Sequence, residues 1–399
     1  MSPDTSTATS DLVALRRELH AHPEIGLQLP WTQARILEAL EGLPLEITLG
    51  ESVTSIVGVL RGRGVGDDRR VVLLRGDMDG LPLTEASGEE FSSTNGAMHA
   101  CGHDLHMAML VGAARALSSR VEELPGDVIF MFQPGEEGMD GASHMLAEGV
   151  LDAAGRRPDA AFAIHVWAAG DEPAGTFTTK TGTIMAAAEV ASVRINGRGG
   201  HGSAPHNAAD PVPAMAEMIL ATQTMVGRQY SIFDPVVVTV GRASAGTAPN
   251  IIPEHAEFDA TIRTFSEANR LRIRETLRRL FEGIASAHGL SSTFEITQSY
   301  PVTVNHAAET ELVSSVASEL FGDERHVRWD DPLAGAEDFS RVLLEVPGSF
   351  IGYNVCADDL DPATAPANHS AHARFDDRWL DDGARLLEEL AVRTLTLPE

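Results

Sequence analysis

The sequence predicts an α/β domain with a central, mostly parallel sheet, interrupted by a smaller inserted domain, and three observations carry that expectation. Short β-rich apolar runs alternate with helical spacing over residues 11–166. From Ala188 the order becomes strand, helix, strand, strand, helix, strand, and after about residue 300 helices and one further apolar strand return. At 399 residues the chain is also too long for one ordinary domain.

The elements follow in order. DLVALRRELHAH and WTQARILEALEG have helical spacing, and SIVGVLRG and RRVVLLRG are short strands. A helix is expected from about Asp104 to Leu117, then a strand at 127–132 (DVIFMF), a helix near GASHMLAEG, and a strand AAFAIHV ending at 166. The late apolar strand is GSFIGYNV. Between them EVASVRING, PVPAMAEMILATQTMV, PVVVTVGRA, HAEFDATIRTF, RLRIRETLRRLFEGIASAH and STFEITQSY form a βαββαβ series. That is the order of a ferredoxin-like sandwich of ~110 residues. The expected division is 1–183 and 298–399 for the α/β domain and 184–297 for the inserted domain. RGRGVGDDRR superficially resembles a phosphate-binding glycine loop, but charges and a strand follow it rather than a helix, so a hairpin or loose turn is expected.

Composition removes several classes of partner. Acidic residues outnumber basic ones by 58 to 30, and a net charge of −28 would repel a nucleic-acid backbone or an anionic membrane surface. No window reaches the ~18 uncharged apolar residues of a membrane span. The stretch MSPDTSTATSDLVALRREL lacks the basic-then-apolar order of a secretory signal, so a cytoplasmic location is expected. Two cysteines are too few for a disulfide scaffold, and Cys356 has no ligand-type neighbours, which makes it a buried apolar filler.

In open α/β sheets, ligands gather beyond the carboxyl ends of the strands. Asp77 and Asp79 follow VVLLRG, Glu136 and Glu137 follow DVIFMFQPG, AAFAI ends at His165, and the loop after FIGYNV leads to His369. One strand-end acid is usually a turn former or cap; four such placements beside MHACGHDLHMAML point to a metal site. Cys101 and His103 are two apart, a spacing that converges on an extended loop and not on a helix, so both should act before the helix begins. Asp104 suits its N-cap or first turn, whereas His106 and His99 suit packing or hydrogen bonding better than ligation. Cys101, His103, Glu137, His165 and His369 make five ligands, more than one zinc takes, so two metals sharing ligands fit better. One of the adjacent glutamates would coordinate while its neighbour takes a proton from water.

Several segments together resemble a known family. HAHPEIG, RGDMDGLPL, MHACGHDLHMAML, FQPGEEG, IHVW, GRGGHGSAPH, NIIPEHAEFDATIRTF, GAEDFS and HSAHARFDD are similar to motifs of the zinc-dependent aminoacylase and glutamate-carboxypeptidase group. Within it they match the amidohydrolase branch of hippurate hydrolases, N-acyl-L-amino-acid amidohydrolases and auxin-conjugate hydrolases. The resemblance implies two divalent metal ions on Cys101, His103, Glu137, His165 and His369, with Cys101 as the bridge. It implies Glu136 as general acid/base, Asp79 as an acid ordering the centre, and His201 as a lid residue reaching the substrate's carbonyl oxygen or carboxylate. Asn250 and Arg263 match lid residues that hold the substrate's carboxylate, and a homodimer through the lid is implied as well. The chain departs from relatives that place a proline shortly after the strand-end histidine and after the last ligand histidine. Trp167 either shapes an acyl pocket or covers the sheet edge.

The expected activity is metal-dependent cleavage of the amide of an N-acyl amino acid. A dipeptidase or carbamoyl-amide hydrolase would need much the same centre, and a non-catalytic metal-dependent binding protein would have no use for Glu136 beside a ligating Glu137. Thiolate and imidazole ligands favour zinc, with manganese, cobalt and nickel as alternatives.

Overall fold

The computed structural model describes residues 5–64 and 69–397. Its two principal sheets use β1 (Leu45–Leu49), β2 (Ile56–Arg61), β3 (Val71–Asp77), β4 (Asp127–Gln133), β5 (Ala160–Trp167), β6 (Phe177–Thr179), β7 (Ala187–Asn196), β8 (Val236–Ala245), β9 (His255–Thr264), β10 (Ser291–Tyr300), β11 (His326–Arg328) and β12 (Gly348–Asn354). The main helices are α1 (Thr5–Ala21), α2 (Pro30–Ala39), α3 (His103–Ser119), α4 (Gly141–Ala147), α5 (Pro211–Gln229), α6 (Glu267–Ala287), α7 (Ala307–Phe321) and α8 (Leu380–Thr396). The chain divides into two compact units, one of Met1–Ile184, Val304–Asp331 and Arg341–Glu399, the other of Met185–Thr303 and Pro332–Ser340.

In the first unit the sheet runs β1-β2-β4-β3-β5-β12-β6-β11. β3 is parallel to β4 and β5, β12 to β5, and β11 to β6, while the β1/β2, β2/β4 and β12/β6 pairs are antiparallel. Every residue of β3, β4 and β12 is buried, which is why the centres of these segments, VVLL, VIFMF and FIGY, read as apolar runs and not as alternation. Helix α3 is buried over most of its surface, through Leu105, Met107, Leu110, Val111 and Leu117. It packs with α1 and α8, whose Leu15, Leu19, Leu387 and Leu390 join the same core. Each such leucine contributes about 1.5–3 kcal/mol by leaving water. Because β4, β3, β5 and β12 are neighbours pointing the same way, the loops that follow them open at one edge of the sheet.

The RGRGVGDDRR segment joins β2 to β3, and β4 lies between those strands, so it is not a hairpin. The apolar β4 pairs with both of them in its place. Residues 65–68 of this connection lie outside the described residues.

In the second unit four antiparallel strands run β8-β9-β7-β10, with α5 after β7 and α6 after β9. β7 alternates buried and less buried residues, as a strand with one covered face should. Val193, Ile195, Phe258 and Ile262 from the sheet meet Met218, Ile273, Leu277 and Phe281 from the helices. Both helices have a side-chain cap: Asp210 accepts from Val212 N at 3.0 Å, with Pro211 in the first turn of α5, and Ser266 accepts from Asn269 N at 3.1 Å to start α6. Among the described residues no helix is long and apolar enough to cross a membrane.

Candidate metal centre

The reactive side chains sit where the parallel strands end. Asp77 closes β3 with Asp79 two residues on, Glu136 and Glu137 follow β4, His165 lies near the end of β5, and His369 lies in the loop after β12. Helix α3 begins at His103 itself, one residue earlier than expected, so His103 does not lie ahead of the helix as its spacing suggested. Gly102 is the reason. Its φ of 80° turns the chain sharply, and a Cβ there would lie 2.3 Å from Val166 Cγ2, so only glycine fits. Cys101 and His103 then converge although one of them is helical. Asp104 occupies the first turn but does not cap it; it is buried, 2.7 Å from Arg16 Nε and 2.8 Å from His20 Nδ1.

Ligand-type atoms lie within 4.8 Å of one another in Cys101/His103/His165, in Cys101/Glu137/His369 and in His103/Glu136/Glu137. Cys101 belongs to the first two groups and His103 links the first to the third. Cys101 Sγ is 3.3 Å from His165 Nε2, and His369 Nε2 is 3.0 Å from Glu137 Oε1. Both ring nitrogens of His103 and Nδ1 of His165 are buried without a hydrogen bond. Leaving such groups unsatisfied costs about 1–3 kcal/mol each, and a cation on this sulfur, nitrogen and oxygen donor set would satisfy them, so the residues fit a metal. His99 also lacks hydrogen bonds on both nitrogens, and burial pushes its pKa down to about 3, which keeps it neutral.

The electrostatics are set by burial and by close acids. Burial opposes a charged His103, but Asp77 and Asp79, 3.6 and 3.5 Å away, hold its pKa well above the ordinary value. Burial, with His106 adding to it, pushes His165 well below the ordinary value. Contacts with Cys101 and Glu137 raise His369 to about 10. Burial would raise Glu137, yet His369 and His103 hold it below the usual carboxylate range. A metal needs neutral imidazoles, so its binding here would release protons.

Around these side chains is a tier of fasteners. The Asp79 carboxylate accepts the backbone N–H of Glu136 on one oxygen and that of Glu137 on the other, both at 3.0 Å. It therefore fixes the pair of glutamates through their backbone. Asp77 pairs with Arg75 and with Nδ1 of His106, and His106 Nε2 accepts the N–H of Val166 at 2.8 Å. The His106 ring thus carries its proton on Nδ1 and ties α3 to the residue after His165. His369 has a φ of 68°, in the left-handed region that costs a non-glycine residue about 1–2 kcal/mol. Neither the Asp77–His106 link nor Asn368, beside His369, was legible in the sequence. Trp167 lies against His165, ring centroids 4.2 Å apart.

The remaining site candidates belong to the second unit. His201 pairs with Ile251 in a short antiparallel ladder, and Gly202 N donates to Asn250 O at 2.8 Å, so His201 and Asn250 are neighbours. His201 Nδ1 accepts from Ser203 N at 3.1 Å and lies 2.7 Å from its hydroxyl. A neutral His201 ring therefore presents Nε2–H as a donor. Arg263 lies on β9, opposite Val237 and Ala188. It is partly buried, which lowers its pKa, and it has no carboxylate partner among the described residues.

A sheet whose parallel strand ends gather buried thiol, imidazole and carboxylate donors is the scaffold of a metal-dependent hydrolase. The chain belongs to peptidase family M20/M25/M40, whose description matches residues 73–393, and it is accordingly a hydrolase of amide bonds. It is 36% identical over 388 residues to N-acetylcysteine deacetylase of Bacillus subtilis, covering 96% of this chain and 97% of that protein. It is also 36% identical over 344 residues to thermostable carboxypeptidase 2 of Saccharolobus solfataricus, covering 85% and 84%. The crystal structure of a dinuclear metal-binding peptidase of the M20 family from Bacillus subtilis superposes with a TM-score of 0.82 at 31% identity, over 98% of this chain and 99% of that one.

Proposed function

We propose that the protein hydrolyses the amide of N-acyl amino acids at a binuclear metal centre formed by Cys101, His103, Glu137, His165 and His369. The observation that carries this reading is the grip of Asp79 on the backbone of both Glu136 and Glu137, which supports a ligand and a base side by side. Divalent ions bound there would acidify a water and polarise the scissile carbonyl. Cys101, like His103 and Glu137, belongs to two of the three groups, and as the thiolate among them it would be the ligand shared by both ions. Glu136 takes the proton of the attacking water at its carboxylate and later delivers it to the leaving amine nitrogen. His201 donates Nε2–H to the carbonyl oxygen as charge develops there. Arg263, which has no carboxylate partner among the described residues, and Asn250 hold the carboxylate of the amino acid. The thiolate and imidazole donors favour zinc.

Both cysteines are free, which suits a reducing compartment, and we place the protein in the cytoplasm. We also propose a homodimer through the second unit, where the edge strand β8 is exposed from Gly241 to Ala245 and has no strand on its outer side among the described residues. A peptide substrate is the second reading, favoured by the similarity to a protein named a carboxypeptidase.

Arg263→Ala tests the substrate class. It is expected to raise KM for N-acyl amino acids by about 10–100-fold, the equivalent of one charge-assisted contact, and to leave their amides and esters nearly unaffected. An equal effect on acids and amides would remove the carboxylate role.

A further inference from the structure

We infer that Asn368 is a positioning residue of the metal centre, one that sets the orientation and donor strength of the Cys101 sulfur; this rests on the binuclear reading above. Its side chain Nδ2 donates to Val166 O at 2.9 Å and lies 3.4 Å from Cys101 O and 3.7 Å from Cys101 Sγ. Its Oδ1 accepts the N–H of Ala168 at 2.8 Å. One carboxamide therefore engages the backbone on both sides of Trp167 at the end of β5 and the segment that carries Cys101, while its own chain neighbour is His369. A second tie joins the same segments, because His369 N donates to Ala100 O at 2.9 Å.

A plainer reading would make Asn368 a turn former. The left-handed residue of this turn is His369, however, not Asn368, and none of the four polar contacts of Asn368 is to its own turn. Asparagine is apt here because it offers two N–H groups and an acceptor from one planar group. One N–H serves Val166 O and the other is shared between Cys101 O and Sγ, where it stabilises negative charge on sulfur; partners of this kind outside the ligand set commonly change metal affinity by about 10–100-fold. A leucine would fill the space and supply neither donor nor acceptor. An aspartate would keep the acceptor toward Ala168 and lose the donor toward Cys101.

The test is titration of metal-free wild type, Asn368→Leu and Asn368→Asp with Co²⁺, following uptake and the thiolate-to-cobalt charge-transfer band in the near ultraviolet. Wild type is expected to take up cobalt and show the band. Both variants should need about 10–100-fold more free cobalt for half-saturation, with the band moved to lower energy because sulfur has lost its hydrogen-bond donor. If Asn368→Leu does not fold, Asn368→Asp, which exchanges one side-chain group for another of the same shape, carries the comparison. An unmoved band and unchanged affinity in a folded variant overturn the inference, as does a lowered melting temperature with the band in place, since that marks a purely structural residue. Wild type that takes up no cobalt overturns the metal-centre reading itself.

Discussion

Glu136→Gln is expected to retain the metal content of the wild type and to lose about 10²–10⁴ in kcat. The two halves of that result have separate origins. Glu136 is anchored through its backbone N–H, which donates to Asp79, so replacing its carboxylate by an amide of the same shape leaves the anchor in place. The amide cannot take a proton from water. Glu136 is only 6% exposed, so bulk buffer has poor access to replace it. Steady-state kinetics and elemental analysis of one preparation would check both halves. A kcat within a few fold of wild type would move the general-base role elsewhere, and lost metal would mean that Glu136 is itself a ligand.

The second large effect is expected at Gly102, where Gly102→Ala should weaken metal binding as well as the fold. A left-handed φ costs alanine about 1–2 kcal/mol wherever it occurs. Here the added Cβ would also meet Val166 Cγ2 at 2.3 Å, and Val166 cannot yield freely because its N–H is held by His106. The strain should pass to the neighbours, Cys101 and His103 on one side and His165 on the other. Gly155→Ala is the control: its φ is 85°, with nothing within 4 Å of the added Cβ. It should lose a little melting temperature and bind metal normally. If both variants lose equal stability and neither loses metal affinity, the close contact at Gly102 does not govern the geometry of the centre.

Much of the fold was legible because its signals are local. The buried parallel strands leave apolar runs such as DVIFMF, and the second unit leaves alternating strands and capped helices. Exposed or very short segments left no such trace. β1 exposes four of its five residues; β6, though buried, and β11 have only three residues each, β11 pairing with β6 and β6 in turn with β12. The grouping of Cys101, His103, Glu137, His165 and His369 was legible because parallel strand ends share one edge, so residue type and strand position suffice. What holds those side chains was not. Asn368 meets partners 200 and more positions away, His106 reaches Asp77 and Val166 across two strands, and the tautomer of His201 follows from Ser203. Contacts of this kind carry no periodicity and no motif. The early start of α3 had a sequence signal in Gly102, but spacing alone gave Cys101 and His103 to an extended loop.

Metal-dependent hydrolysis of acyl amino acids is tested by free-amine release from N-acetyl, N-benzoyl and longer-chain acyl amino acids, with dipeptides alongside, before and after chelation and on return of zinc, manganese or cobalt. Cleavage of acyl amino acids is expected to exceed cleavage of dipeptides, to disappear with chelator and to return with metal. Undiminished cleavage after complete metal removal would contradict this expectation, as would a metal-loaded enzyme that leaves every acyl amino acid intact.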